Sequence, residues 1–269
     1  MNEMYRSFYQ IQYNPFEKEA PNGTFESKDY NEAKTRFDYL IKVKGLGLFT
    51  GSPGNGKTYS FKNYINKYNP NLYKFIYIHA STVTVNEFYK ALCYGLGIEP
   101  LFRKIDMFKS IQEAFVRMNK ERKIMPVVII DEAQFLKPAI FHDLSLLMNF
   151  EMDSKNYVTI VLLGLSYLSS ILNKNIYEPL KQRIIINYEF VGLEKEEIAN
   201  YITQSLTKAG NPINFFAPAA IESIANYSNG SIRKLNNILT KCLIVGSSTQ
   251  TQTITPDIVL IAQNDIEIK

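Results

Sequence analysis

Between residues 51 and 58 the chain reads Gly51-Ser52-Pro53-Gly54-Asn55-Gly56-Lys57-Thr58, a full match to G-x-x-x-x-G-K-[ST] that leaves few folds open. The short run Gly47-Leu48-Phe49-Thr50 before it predicts a buried strand, and Thr58 to Tyr68 after it predicts a helix. Strand, glycine-rich loop and helix in that order make a phosphate cradle. Without side chains in the way, the backbone can close around phosphate oxygens, so that its N–H groups and the positive helix end meet the negative charge. Lys57 would reach the β- and γ-phosphates of a nucleotide, and the Thr58 hydroxyl would complete a Mg²⁺ shell that otherwise keeps several waters. The other loop residues, with Tyr59 behind them, complete the expected nucleotide contact. Taken alone, the octapeptide supports binding of ATP or GTP.

A second anchor stands at Asp131-Glu132. It ends the β-branched run Pro126-Val127-Val128-Ile129-Ile130, the pattern of a central parallel strand buried on both faces. Parallel α/β sheets place ligand chemistry at the carboxyl edge, where the two motifs would meet. In a Walker B arrangement the Asp holds the metal and the adjacent Glu polarises the attacking water. Further strands are expected at 74–79, 159–164 and 184–189, with helices at 29–43, 85–96, 105–120, 138–150 and 167–174. Five strands alternating with helices predict a three-layer α/β domain around a five-stranded parallel sheet. From Leu193 the strand pattern stops and helices follow at 195–209, 218–227, 231–245 and 257–264, forming a small C-terminal lobe. The Ser/Thr/Gln-rich stretch Ser247 to Ile254 predicts a linker, and Thr255-Pro256 a helix start. The expected organisation is a lead-in at 1–28, the α/β domain at 29–191 and a helical lid at 192–269.

Composition narrows the class without naming a partner. Of 269 residues, 46% are apolar and 21% charged, which speaks against disorder and coiled coil. No run reaches the roughly 18 to 20 apolar residues of a membrane span, and Met1 to Gln12 is too polar for a secretory signal, so the cytoplasm is the expected compartment and no membrane partner is expected. Cys93 and Cys242 sit in apolar runs and are expected as core thiols. A net charge of +4 permits an anionic polymer partner without demanding one.

Val127 to Gln134, with its Asp-Glu-Ala-Gln, resembles the Walker B box of ExeA-like AAA+ ATPases and related transposition helper ATPases. Phe8 to Phe16 resembles that family's opening aromatic segment with Asn-Pro-Phe, Leu144 to Lys155 its Leu-Leu-x-Asn-Phe-Glu box, and Asn229 to Leu239 its Gly-x-x-Arg-x-Leu-Asn-x-Leu box. The resemblance implies an AAA+ ATPase that hydrolyses ATP with Mg²⁺. It implies Arg233 as the sensor 2 arginine and Asn14 and Phe16 as part of the nucleotide surroundings. In dipole terms a cation in the first turn of a helix is poorly placed, which independently hints at an anionic partner for Arg233. Arg183 resembles the arginine finger that a neighbouring subunit presents to ATP, although an arginine ahead of an edge strand equally suits a solvated cap. One position departs from the family: where a polar Gln is expected as sensor 1, the chain has Leu165. Either Ser166 or Asn149 takes over that contact, or hydrolysis is slow.

Secretion members of the family continue into a membrane span and a cell-wall-binding domain. This sequence carries neither, so the expectation is a stand-alone ATPase similar to transposition regulators of the TnsC, IstB and MuB kind. That resemblance implies a homo-oligomer, ring or filament, on double-stranded DNA, with a DDE transposase as partner. Arg103, Lys104, Lys109 and the basic stretch Arg117 to Lys123 are candidates for phosphate contact, and a solvated helix face explains them as well. A secretion or membrane-assembly ATPase and a slow nucleotide-switch scaffold are the other readings.

Overall fold

The computed structural model describes residues 4–18, 20–21, 23–80 and 84–266. The first half of the chain forms α1 (Met4–Phe8), α2 (Lys28–Val43), β1 (Leu46–Gly51), α3 (Lys57–Asn66), β2 (Tyr73–His79), α4 (Val85–Leu96) and α5 (Lys104–Lys120). Then come β3 (Met125–Asp131), α6 (Pro138–Leu147), β4 (Thr159–Leu163), α7 (Tyr167–Leu172), α8 (Glu178–Lys181) and β5 (Ile184–Phe190). The chain finishes with α9 (Lys195–Lys208), α10 (Pro218–Ser228), α11 (Ile232–Ser248) and α12 (Pro256–Ile266). Two compact units result: 30–52 with 57–190, and 1–29 with 53–56 and 191–269.

The first unit holds the predicted five-stranded, all-parallel sheet, in the order β2-β3-β4-β1-β5. Its interior strands β1, β3 and β4 are buried at every residue, whereas the edge strands β2 and β5 are buried only in part. That contrast follows from helices covering both faces of the interior strands, which selects the Val/Ile/Leu runs seen there. Register brings the strand ends together: His79 pairs with Asp131, Ile130 with Leu162 and Phe49 with Leu163. One face packs aliphatic residues against Phe88, Phe115 and Phe141, while the other carries an aromatic cluster of Phe37, Phe49, Phe61 and Tyr64. Truncating a fully buried Phe such as Phe141 to Ala would cost about 3–5 kcal/mol. α4 is closed at its start by a reciprocal capping box between Thr84 and Glu87 and at its end by Gly97 in the left-handed region.

The helix predicted over 138–150 stops at Leu147. Phe150 instead turns inward, 5% exposed, and bridges to Lys155 around three left-handed residues, Glu151, Met152 and Asp153. Glu151 is gripped from three sides, by Lys120, Lys155 and the Tyr157 hydroxyl, and these contacts hold a turn that local preference does not foresee.

The second unit is helical. α9 to α12 enclose a core of Ile198, Ile202, Leu239, Leu243 and the buried thiol of Cys242, and Tyr5, Tyr9 and Phe16 of the lead-in pack into it. Tyr9 stacks on Phe215 at 4.4 Å and donates its hydroxyl to the Thr251 carbonyl. The linker predicted over Ser247 to Ile254 is corrected in two ways. α11 runs on through Ser248, and Ile254 is fully buried, its N–H donating to Phe215 O and its carbonyl accepting from Ala217 N–H. Hydroxyls of Ser247, Ser248 and Thr249 fold back onto carbonyls of Ile244, Val245 and Gly246, so polar composition here ends a helix and forms a tight turn. Among the described residues no helix is long and apolar enough to cross a membrane.

Candidate nucleotide site

β1 ends at Gly51 on the carboxyl edge of the sheet, and α3 begins at Lys57. The Lys57 ammonium folds back over the loop and donates to the carbonyls of Gly51 at 2.7 Å and Ser52 at 3.0 Å. Thr58, next on α3, donates its hydroxyl to Asp131 Oδ2 at 2.8 Å. Asp131 is 3% exposed; the same oxygen accepts the Tyr77 hydroxyl at 2.8 Å, and Oδ1 accepts the Glu132 N–H at 2.8 Å. Burial, and after it the Asp131 carboxylate, pushes the Tyr77 hydroxyl well above its ordinary range, so it stays a donor.

Glu132 leaves the strand in the left-handed region, φ 55° and ψ 38°, a conformation that costs a non-glycine residue about 1 kcal/mol or more. Its carboxylate accepts Gln134 Nε2 at 2.5 Å, and Gln134 Oε1 accepts the Leu165 N–H at 3.1 Å. Leu165, where the family resemblance leads one to expect a polar side chain, thus enters the network through its backbone. Neither Tyr77 nor Gln134 is singled out by sequence reasoning. The Asp-Glu-Ala-Gln box does contain Gln134, whereas Tyr77 is one outward residue on an edge strand and carries no signal.

The tip of the loop, 53–56, belongs to the helical unit, where it meets the start of α11. Ser231 donates its hydroxyl to Pro53 O at 3.2 Å, and the Arg233 N–H donates to Gly54 O at 3.3 Å. Gly54 (φ 85°) and Gly56 (φ 89°) adopt backbone that favours glycine, and a Cβ on Gly54 would lie 2.5 Å from the Ser231 hydroxyl. Arg233 is the second residue of α11 and its side chain is exposed. In the same unit Asn14 is 1% exposed: its amide reaches Glu17 and Thr240, and its carbonyl oxygen takes the N–H of Phe16, itself 3% exposed. Tyr59 is half exposed and Asn55 is buried.

Among the described residues, no hydrogen bond or ion pair joins the remaining predicted residues to the Thr58–Asp131–Glu132 group. Asn149 is exposed, and among the described residues no hydrogen bond joins its side chain or that of Ser166 to the group. Arg183 precedes β5 and pairs with Asp153 at 2.5 Å, its side chain 19% exposed. Arg103 pairs with Asp106, and Lys104 pairs with Asp143 while lying 5.5 Å from the centre of the Tyr89 ring. Lys109 is exposed.

These residues fit a magnesium nucleotide: a lysine folded over the loop and a hydroxyl touching a carboxylate, the hard-oxygen pair that Mg²⁺ takes. A glycine-rich loop after β1 and an Asp-Glu pair at the end of β3, on one edge of a five-stranded parallel sheet, make a P-loop α/β arrangement.

Residues 41–172, just under half of the chain, match the AAA domain family. The chain is 28% identical over 251 residues to General secretion pathway protein A of Aeromonas hydrophila, a match covering 90% of this chain and 44% of that protein. The chain therefore spans less than half the length of that relative. Among solved structures it is similar to Cdc6p from Pyrobaculum aerophilum, with TM-score 0.72 and 16% identity over 95% of this chain and 72% of that one. A structure of Drosophila ORC bound to DNA gives TM-score 0.68 and 14% identity over 99% of this chain and 66% of that one. At such identities the two structures share the fold with this chain.

Proposed function

We propose that this chain is an ATP-dependent DNA-binding oligomer that selects target DNA for a DDE transposase and recruits or stimulates it. The observation carrying the ATP half is the Thr58–Asp131 contact with Glu132 one residue on. Lys57, turning from the Gly51 and Ser52 carbonyls, neutralises the β- and γ-phosphates, and the backbone N–H groups of 54–58 cradle them. Thr58 and Asp131 would hold Mg²⁺, which would withdraw charge from the phosphate oxygens. Glu132 polarises a water for in-line attack at the γ-phosphorus, with ADP as the leaving group. Tyr59, Asn14 and Phe16 shape the nucleotide surroundings. Arg233 senses the nucleotide from the helical unit, and Arg183 acts on the ATP of a neighbouring subunit. Asn149 is assigned a polar supporting role.

The DNA half is supported by the resemblance of Val127 to Gln134 to the Walker B box of transposition helper ATPases and by likeness in fold to a structure of Drosophila ORC described as bound to DNA. Arg103, Lys104 and Lys109 are the assigned phosphate contacts, by which affinity would fall steeply with salt. The 28% identity to General secretion pathway protein A favours a second reading, an ATPase that serves secretion or membrane assembly. Filter binding and electron microscopy with ATP and duplex DNA separate the two. An ATP-dependent oligomer on the duplex is expected, and no DNA-dependent assembly would remove the transposition reading.

A further inference from the structure

We infer that Gln134 is a positioning residue for Glu132, tying its carboxylate to the backbone of the loop between β4 and α7. The inference rests on the proposed role of Glu132 in activating water. Gln134 lies in the tight 3-10 turn Ala133–Phe135 that follows β3, and it is 8% exposed. Its carboxamide is used at both ends: Nε2 donates to Glu132 Oε2 and Oε1 accepts from Leu165 N–H. Only one amide orientation satisfies both partners. The flipped amide would set an oxygen against a carboxylate and an NH₂ against an N–H.

Gly164 makes room for this bridge. A Cβ there would lie 2.7 Å from Gln134 Oε1 and 2.6 Å from Leu168 Cδ2, so any larger residue pushes the carboxamide away from Leu165. The bridge also bears on Glu132 itself, whose left-handed backbone leaves the direction of the carboxylate to be set by its side-chain partner. Because β4 lies between β3 and β1, a shift of the loop after β4 passes to the Glu132 carboxylate through two hydrogen bonds. A contact from the sensor 1 position thereby survives although Leu165 has no polar side chain.

The test compares Gln134→Leu, Gln134→Glu, Gly164→Ala and Glu132→Gln in steady-state and single-turnover ATP hydrolysis. Gln134→Leu should lower kcat about ten- to a hundredfold, the scale of a misplaced reacting group, with KM for ATP within about twofold. Gln134→Glu keeps the size but sets a second carboxylate against Glu132, so the acid limb of the kcat profile should move to higher pH, a shift that mere loosening would not produce. Gly164→Ala should lower kcat with Gln134 intact, and the double variant with Gln134→Leu should be no slower than Gln134→Leu alone. Should Gln134→Leu fail to fold, Gly164→Ala tests the same link from the other end. Wild-type kcat in Gln134→Leu beside an inactive Glu132→Gln would overturn the inference, as would a rise in KM or a drop in melting temperature without loss of kcat. Full turnover by Glu132→Gln would instead refute the role assigned to Glu132.

Discussion

Thr58 and Asp131, 73 residues apart in sequence, share a hydrogen bond of 2.8 Å at the carboxyl edge of the sheet. The contact joins the helix that follows the glycine loop to the end of β3, so the two oxygens expected on Mg²⁺ are already neighbours. Replacing Thr58 by Ala removes one of them and frees Asp131 Oδ2 to Tyr77 alone. The Mg²⁺ concentration for half-maximal ATP hydrolysis should then rise about tenfold or more, which a magnesium titration of phosphate release will read. An unchanged midpoint would separate Thr58 from the metal.

Lys57 and Glu132 should fail differently. Lys57→Ala should abolish ATP binding because the loop loses the ammonium that faces the β- and γ-phosphates, and undiminished affinity of a fluorescent ATP analogue would contradict the site. Glu132→Gln retains binding but loses about a hundredfold or more in turnover, since the amide cannot polarise water as a base.

Arg183 is held by Asp153 within the chain, so acting on a neighbour requires release of that pair. Arg183→Ala alone and Lys57→Ala alone should each be inactive. Mixed, they should regain part of the activity, because Lys57→Ala subunits can offer Arg183 to intact ATP sites. Absence of complementation at assembly concentrations would leave Arg183 as a structural partner of Asp153.

Arg103 and Lys104 already have carboxylate partners, Asp106 and Asp143, while Lys109 is exposed without an ion pair among the described residues. Lys109→Ala should therefore reduce the slope of log affinity for duplex DNA against log salt by about one, and Arg103→Ala by less. Equal slopes in wild type and Lys109→Ala would take Lys109 out of the DNA contact.

The turn at 151–153 should depend on pH. Hydrogen bonds from Lys120, Lys155 and Tyr157 pull the Glu151 carboxyl down from its ordinary 4.5 to about 2. Between those values the unfolded chain binds the proton and the folded chain does not, so the contribution is full above about 4.5 and is lost as pH falls towards 2. Urea melts of wild type and Glu151→Gln should differ at pH 6 and converge near pH 2. A constant gap would show that the ion cluster contributes through packing alone.

The chain's local patterns alone determined the parallel sheet, the phosphate loop and the Asp-Glu pair. Each is written in contiguous residues: a continuous apolar run for a strand buried on both faces, glycines where backbone must approach a ligand, and a carboxylate where a strand ends. Tertiary structure decided what those patterns cannot encode. Tyr77 shares Asp131 with Thr58 because β2 and β3 pair in register, and Gln134 reaches Leu165 because β4 packs beside β3. The helix expected to reach Phe150 ends at Leu147 because Phe150 is buried while Lys120 and Tyr157 hold Glu151, and Arg183 turns to Asp153 across 30 residues. Hydrogen bonds and ion pairs act over a few ångströms of space whatever the separation along the chain, so these contacts exist only once the strands have been ordered.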